Sequence, residues 1–200
     1  MTQVAIIHHS GFGHTAVLAA DVARGVEAAG ATPVLLAIEP GQTNFDEFFA
    51  VAAESDALVF GTPTYMGTVS APMKAFMDAS AAVYFTKQWK DKLAAAFTVS
   101  GSPSGDKLNT LTTLAIFAAQ HAMLWIGTGQ NPGNNDDTSA ATDVENRLGS
   151  FLGAMAQAAN DSAEVTPKAG DRATAHSLGR RVAAAAARWQ AGARESVAAA

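Results

Sequence analysis

Short apolar segments alternate along the chain with longer segments of helical periodicity. Five apolar segments predict strands: Val4–His9, Pro33–Ile38, Ala57–Gly61, Leu93–Ser100 and Met123–Gly127. Six segments predict helices: Thr15–Ala29, Phe45–Ala53, Ala71–Ala82, Asp106–His121, Glu145–Ala158 and Arg172–Ala191. The strands lack clean alternation, as expected when helices cover both faces of a sheet. Repeated strand–helix units of this kind predict an α/β fold, a doubly wound five-stranded parallel sheet with helices on both faces.

The length of 200 residues suits a single domain spanning residues 1–200. The least regular part is Gly129–Gly170, where Gln130–Asp137 is rich in Asn, Gly and Asp and predicts a loop. A long loop in a compact α/β domain is more often functional than idle. We therefore expect this irregular insertion, with its one predicted helix, to lie near the functional site.

Composition narrows the classes of function. The chain is 48% hydrophobic and 16% charged, with a formal net charge of −5, so it is globular. Its negative charge argues against nucleic acid and anionic membranes as partners. Cysteine is absent, which excludes disulfides and a thiolate nucleophile, and we expect no metal site. Neither a signal peptide nor a membrane-length apolar segment is visible, so we expect a cytoplasmic protein.

The segment after the first predicted strand has the composition of a phosphate-binding loop. Ser10-Gly11-Phe12-Gly13-His14-Thr15 leads directly into an alanine-rich helix. Glycines allow a tight turn, N–H groups at a helix start face outward, and the helix dipole favours an anion there. The same residues with Ala16 also fit G-x-G-x-x-A, and Glu39 ends the second strand, so a Rossmann NAD(P) domain is an alternative.

Two further polar loops follow the third and fourth predicted strands. Thr62-Pro63-Thr64-Tyr65-Met66-Gly67 offers an aromatic ring, a thioether and backbone amides, which suit a fused ring system. Ser100-Gly101-Ser102-Pro103-Ser104-Gly105 follows the next strand. Since the carboxyl edge of an open α/β sheet carries the ligand site, the three loops together predict a mononucleotide site.

These segments resemble the flavodoxin-like flavoproteins, most closely the WrbA type of NAD(P)H:quinone oxidoreductase and the related NADPH-dependent FMN reductases. The resemblance covers most of residues 4–128. Ser10–Thr15 resembles the FMN phosphate loop, Gly61–Gly67 the isoalloxazine loop, Ala71–Asp78 the helix after it, and Lys92–Gly105 the fourth strand and its flavin loop. It implies a flavodoxin-like strand order of 2-1-3-4-5, bound FMN, and NADH or NADPH as the hydride donor.

The same resemblance implies particular contacts. The FMN-binding residues would be Ser10, Gly11, Phe12, Gly13, His14, Thr15, Thr62, Pro63, Thr64, Tyr65, Met66, Gly67, Ser100, Gly101, Ser102, Pro103, Ser104, Gly105 and His121. His121 and Tyr84 would be catalytic, with Tyr84 beside the acceptor pocket and Phe12 near the nicotinamide. The family also implies a quinone-like acceptor and a homodimer or homotetramer.

Three hypotheses about function are compatible with the sequence. The first is an FMN enzyme that passes two electrons from NAD(P)H to a quinone-like acceptor. The second is a flavodoxin-type electron carrier without small-molecule turnover, which the acidic net charge would suit. The third is a Rossmann NAD(P)-binding domain, for which the chain is short because a substrate domain would also be needed.

Overall fold

The computed structural model describes residues 1–135 and 142–198, with side chains described to residue 192. The predicted loop at Gln130–Asp137 therefore lies partly outside the described residues, including Asp136 and Asp137. The elements in chain order are β1 (Gln3–His9), α1 (His14–Ala28), β2 (Thr32–Ile38), α2 (Asp46–Glu54), β3 (Ala57–Tyr65), β4 (Thr68–Val69), α3 (Ala71–Ala79), α4 (Ala81–Thr86), β5 (Leu93–Ser100), α5 (Lys107–Gln120), β6 (Leu124–Trp125), β7 (Ala154–Gln157) and α6 (Ala169–Ala198).

The sheet runs in the order β2-β1-β3-β5-β6, and these neighbours are all parallel. Since β5 and β6 are the fourth and fifth main strands, the predicted flavodoxin-like order 2-1-3-4-5 is confirmed. Every crossover between parallel strands needs a long connection, and the helices supply it on both faces. The carboxyl ends of β1, β3 and β5 consequently meet at one edge of the sheet.

The fifth strand position is filled by two separate segments. Leu124–Trp125 pairs with the start of β5, whereas Ala154–Gln157 pairs with its end, from Phe97 to Ser100. The strand predicted at Met123–Gly127 is thus only two residues long, and the helix predicted at Glu145–Ala158 is wrong. The carboxyl half of β5 would otherwise present unpaired backbone groups, and pairing them outweighs the high helix propensity of alanine.

Two other predicted segments are divided differently from the expectation. The helix predicted at Ala71–Ala82 is two helices, α3 and α4, which meet at Ser80. The loop predicted after Gly61 is wrong in part, because β3 continues to Tyr65 and turns back into β4. Met66 and Gly67 form this hairpin turn with φ of 47° and 81°, and two positive φ values are typical of a type I′ turn.

The sheet is buried on both faces, so successive residues of a central strand enter different cores. Val4 and Ile6 of β1 contact the layer of α1 and α6, while Ala5 and Ile7 contact the opposite layer. That opposite layer contains a cluster of aromatic rings around Phe76. Phe45, Phe48, Phe60, Trp89 and Phe117 belong to this core. Burial on both faces explains why the strands lack polar alternation.

Helices α1 and α6 approach each other unusually closely on the other face. A Cβ placed on Gly25 would lie 1.9 Å from the His176 carbonyl oxygen, and one on Gly179 would lie 2.1 Å from that of Val22. Only glycine permits such contact between backbones. This close contact with α1 thereby holds α6, and the segment that precedes it, against the edge of the sheet where β1 ends. No helix within residues 1–135 or 142–198 is long and apolar enough to cross a membrane.

Candidate functional site: three loops at the carboxyl edge of the sheet

The first loop joins β1 to α1 and leaves the start of the helix open. Gly13 is the N-cap residue, with φ of 88°, and has no side chain with which to cap α1. Ser10 lies before the helix, and its Oγ accepts a 3.1 Å hydrogen bond from the Ala16 N–H. The N–H groups of the preceding residues have no intrahelical acceptor, because the first turn of any helix lacks one. This arrangement suits an anion.

A cavity of about 260 Å³ lies against this loop. Gly11, Phe12, His14 and Thr15 line one side of it. The segment after β7 lines another side through Ala158, Ala159 and Asn160. The end of the irregular region therefore lies against this candidate cavity, as a strand and loop rather than as a helix.

This β7–α6 segment also contacts the first loop directly. A ring nitrogen of His14, Nε2, lies 2.9 Å from the Asp161 carbonyl oxygen. A Cβ placed on Gly13 would lie 2.9 Å from the Ala163 Cβ. Asn160 and Asp161 are not among the predicted site residues, although the polar run Asn160-Asp161-Ser162 is a loop signal like those at the other loops of the chain.

The second predicted segment reaches the cavity through Pro63, Thr64 and Tyr65. The Tyr65 ring lies over the first loop: its centroid is 6.4 Å from that of Phe12, and a Cβ on Gly11 would meet the Tyr65 hydroxyl. Burial raises the pKa of Tyr65. Met66, at the hairpin tip, is fully exposed. Tyr65 and Phe12 thus form an aromatic rim beside the glycine loop.

The two threonines of this segment differ in what they can contact. Thr62 is fully buried, and its Oγ1 accepts the Ser70 N–H and contacts Ser70 Oγ, so it joins β3 to the start of α3. Its predicted role in binding is therefore not supported by its position. Thr64 lines the cavity, and its Oγ1 lies 2.9 Å from Thr98 Oγ1 and 2.8 Å from Thr110 Oγ1. Three hydroxyls thus meet behind the cavity.

The third loop faces two different spaces. Ser100 and Gly101 line the cavity against the first loop. Pro103 and Ser104 instead line a more open groove of about 1100 Å³ between α5 and residues 147–155. Gly105 completes the loop with φ of 52°. The first two residues of the third loop therefore line the cavity beside the first loop. The tip of the third loop, at Pro103 and Ser104, faces the open groove instead.

A buried lysine holds the third loop from beneath. Lys107 Nζ donates 2.7 Å hydrogen bonds to Ser100 Oγ and to the Ser102 carbonyl oxygen. Burial lowers the pKa of Lys107 to about 8, although the nearby Asp171 carboxylate acts in the opposite direction. Lys107 is not among the predicted site residues, and nothing local marks it, because an isolated lysine at a helix start is usually exposed.

A second buried pair lies behind the lysine. Arg147 donates two 2.8 Å hydrogen bonds to the Asp171 carboxylate, which also accepts the Gln157 N–H at 2.9 Å. The Gln157 side chain in turn donates to the Gly101 carbonyl at 3.3 Å. The pair therefore connects α6 and β7 to the third loop, and bidentate Arg–carboxylate geometry makes that connection specific.

His121 and Tyr84 lie at the other end of the sheet. Helix α5 begins beside Ser100 and ends at His121, where the Asp91 N–H bonds the Ala122 carbonyl next to the start of β5. Fourteen helical residues span about 20 Å. The ring centroids of Tyr84 and His121 are 6.0 Å apart, and both residues line a separate cavity of about 300 Å³. Within one chain, the structure does not bring these two predicted catalytic residues to the three loops.

The surroundings of His121 favour a neutral ring. The ring lies 4.4 Å from that of Trp89 and 4.8 Å from that of Phe117, centroid to centroid. Ser80 directs its hydroxyl proton to the Met77 carbonyl, so His121 Nε2 donates to Ser80 Oγ, and Nδ1 is buried without a partner among the described residues. Burial, with the Lys87 charge nearby, lowers the pKa of His121 to about 4.

The residues at the carboxyl edge fit the phosphate end of a mononucleotide. The open helix start, the glycine with positive φ and the hydroxyls of Ser10 and Thr15 provide donors for a phosphate. The rim of Phe12 and Tyr65 provides an apolar surface for a ring. Among residues 1–135 and 142–198, no group of three His, Asp or Glu side chains is placed to hold a metal ion.

Comparison with known proteins gives consistent similarities. Residues 13–136 match the family model described as NADPH-dependent FMN reductase. The chain is 33% identical over 183 residues to flavodoxin FldP of Pseudomonas aeruginosa, covering 92% of this chain and 96% of that protein. It is 29% identical over 202 residues to an NAD(P)H dehydrogenase (quinone) of Archaeoglobus fulgidus, with coverage of 92% and 96%.

A solved structure shows the same fold. The structure described as a flavodoxin, WrbA-like protein from Agrobacterium tumefaciens matches with a TM-score of 0.72 and 36% sequence identity. The match covers 94% of this chain and 99% of that one. The similarity in sequence and in fold therefore extends over nearly the whole length of both chains.

Proposed function

The chain belongs to the NADPH-dependent FMN reductase family, and we propose that this FMN-dependent oxidoreductase passes two electrons from NAD(P)H to a quinone. The acceptor is suggested by relatives named NAD(P)H dehydrogenase (quinone), at 28–29% identity. Family membership also favours FMN over a dinucleotide for the first loop, although that loop fits both patterns. When bound, FMN would supply the redox chemistry between nicotinamide and quinone.

The observation that carries the proposal is the meeting of three loops around one cavity. The N–H groups and hydroxyls of Ser10–Thr15 would bind the phosphate, with charge-assisted hydrogen bonds worth about 1.5–3 kcal/mol each. The segments at Thr64–Gly67 and Ser100–Gly101 would position the ring system beside them. These assignments follow from position in the fold, and binding assays test them.

The chain's aromatic side chains would provide the surface on which flat reactants stack. Phe12 is 78% exposed at the rim of the cavity and lies edge-on to Tyr65. A nicotinamide and a quinone both need a flat apolar surface close to the ring system. One such surface cannot hold both at once, so the donor must leave before the acceptor enters. We therefore expect ping-pong kinetics.

The test is steady-state oxidation of NADH and of NADPH by the purified, FMN-loaded protein, with benzoquinone varied at several donor concentrations. Parallel double-reciprocal lines are expected. Intersecting lines would refute the single shared surface. Absence of turnover with both nucleotides, in protein that is yellow and releases FMN on denaturation, would support instead an electron carrier, as the name of the Pseudomonas relative suggests.

We also propose that the protein forms a homodimer or homotetramer. Within one chain Tyr84 and His121 are separated from the first loop by about the length of α5. Their predicted catalytic roles therefore require that another copy bring them to the site, and closed point-group symmetry would repeat such a contact in every copy. Light scattering at micromolar concentration tests the assembly, and a monomer would remove both the assembly and the catalytic roles of Tyr84 and His121.

A further inference from the structure

Lys107 is a buried cation with an unused donor. The residue is fully buried at the start of α5, and its two hydrogen bonds both go to the third loop. An ammonium group has three protons, so one remains without an acceptor among residues 1–135 and 142–198. No carboxylate of that part of the chain lies within 4 Å of Lys107 Nζ.

The charges around Lys107 do not balance. Asp171 and Arg147 act on it most strongly, and these two already satisfy each other through a bidentate pair. Gln157, packed between them and the loop, is neutral. The cluster of Lys107, Arg147 and Asp171 therefore carries a net charge of +1 beneath the third loop.

Keeping this charge buried is costly. A desolvated ion without a direct counter-ion destabilises a protein, and an apolar side chain of similar volume would avoid that cost. Burial shifts the pKa of Lys107 down to about 8, which still leaves the group mainly charged at neutral pH. A buried charge that no carboxylate of residues 1–135 and 142–198 pairs with directly, next to a candidate ligand site, is therefore expected to act on the ligand.

We propose that Lys107 is a positioning residue for the flavin, whose buried positive charge beneath Ser100–Ser102 stabilises negative charge on the bound ring system and raises its midpoint potential. This inference rests on the proposed function, because the third loop must lie beside the ring. Lys107 acts through the loop and through its field, and does not line the cavity itself. Charge near a flavin is one of the ways in which a protein tunes its electronics.

The experiment compares Lys107→Gln with the native protein in FMN-loaded form. Glutamine keeps hydrogen-bond donors for the loop but removes the charge. We expect a tenfold loss of preference for the reduced over the oxidised cofactor, which for a two-electron couple lowers the midpoint potential by about 30 mV. Affinity for oxidised FMN should change less, because its ring is neutral.

Lys92→Gln is the matched control. Lys92 also donates to backbone oxygens, those of Ala53 and Ser55, and burial lowers its pKa too. It lies at the amino end of β5, at the opposite edge of the sheet, so its loss should leave the midpoint potential unchanged. Equal shifts in both variants would show a nonspecific effect and overturn the role of Lys107.

A second measurement, the pH dependence of the midpoint potential, is made on the native protein and does not depend on a variant that folds. In the native protein the potential should fall more steeply with pH in the range above about pH 8, because reduction then takes up an extra proton on Lys107. A constant slope through that range would overturn the inference. If the native protein bound no FMN, the proposed function itself would fail; FMN bound at an unchanged potential in Lys107→Gln would overturn this inference alone.

Discussion

Replacing His121 by phenylalanine should remove part of the acid sensitivity of the fold. The ring is 3% exposed and lies between aromatic neighbours, and burial lowers its pKa to about 4, against an ordinary value of 6.5. The unfolded chain therefore binds a proton at His121 between about pH 6.5 and 4, while the folded chain does not. Stability that this neutral ring provides is complete above pH 6.5 and is lost as pH falls through this window.

The magnitude follows from the size of the shift. A difference of about 2.5 pKa units corresponds to about 3 kcal/mol once both states are protonated. Between pH 7 and pH 5 the part already lost is about 2 kcal/mol. Burial also lowers the pKa values of His8 and His9. Acid therefore destabilises the native protein and the His121→Phe variant alike through these two residues. Those contributions are common to native and variant protein and cancel in the comparison.

The assay is equilibrium unfolding in urea at pH 7, 6 and 5, followed by tryptophan fluorescence, with equal m-values as the check on two-state behaviour. The native protein should lose about 2 kcal/mol more than His121→Phe between pH 7 and pH 5. The same pH dependence in both proteins would refute the reasoning. So would a midpoint near 6.5 for His121 titrated by NMR in the folded protein.

Three other predictions concern the site and the packing. Gly13→Val should abolish FMN binding, measured by flavin fluorescence. Gly30 has a similar positive φ but open space around it, at the edge of the sheet opposite the three loops, so Gly30→Val should bind FMN normally. Gly179→Ala should lower the free energy of unfolding by about 1–3 kcal/mol through overlap with the α1 backbone, whereas Gly192→Ala, with open space on the same helix, should not lower it. Asp171→Asn should cost about 3–5 kcal/mol in urea unfolding, because it leaves the Arg147 charge buried and unpaired; a loss below 1 kcal/mol would contradict that burial.

Local chemistry made the main features of the fold predictable. The strands β1, β2, β3 and β5 and the helices α1, α2, α5 and α6 were predicted to within a few residues, apart from the extension of β3 and a longer α6. The short strand β4 was not predicted. Glycines and hydroxyls at Ser10–Thr15 indicated the open helix start, since backbone conformation there depends on neighbouring residues alone. The parallel direction of the strands followed from the alternation of strands and helices.

The division of the fifth strand position could not be read from the sequence. Ala154–Gln157 is a short alanine-containing segment, and its neighbours favour a helix by composition. It becomes a strand because the carboxyl half of β5 offers unpaired backbone groups. The partner lies more than fifty residues away, and pairing over that distance leaves no local pattern in the chain.

Only the tertiary structure decided which polar residues share one site. Tyr84 and His121 looked like partners of the three loops, yet the length and direction of α5 place them at the opposite edge of the sheet. Nothing in the local sequence singles out Lys107, and the folding of residues 147–171 over it makes it a buried cation. Sequence determines the type of each side chain and its local conformation, whereas burial, charge balance and separation depend on elements that meet only when the whole chain packs.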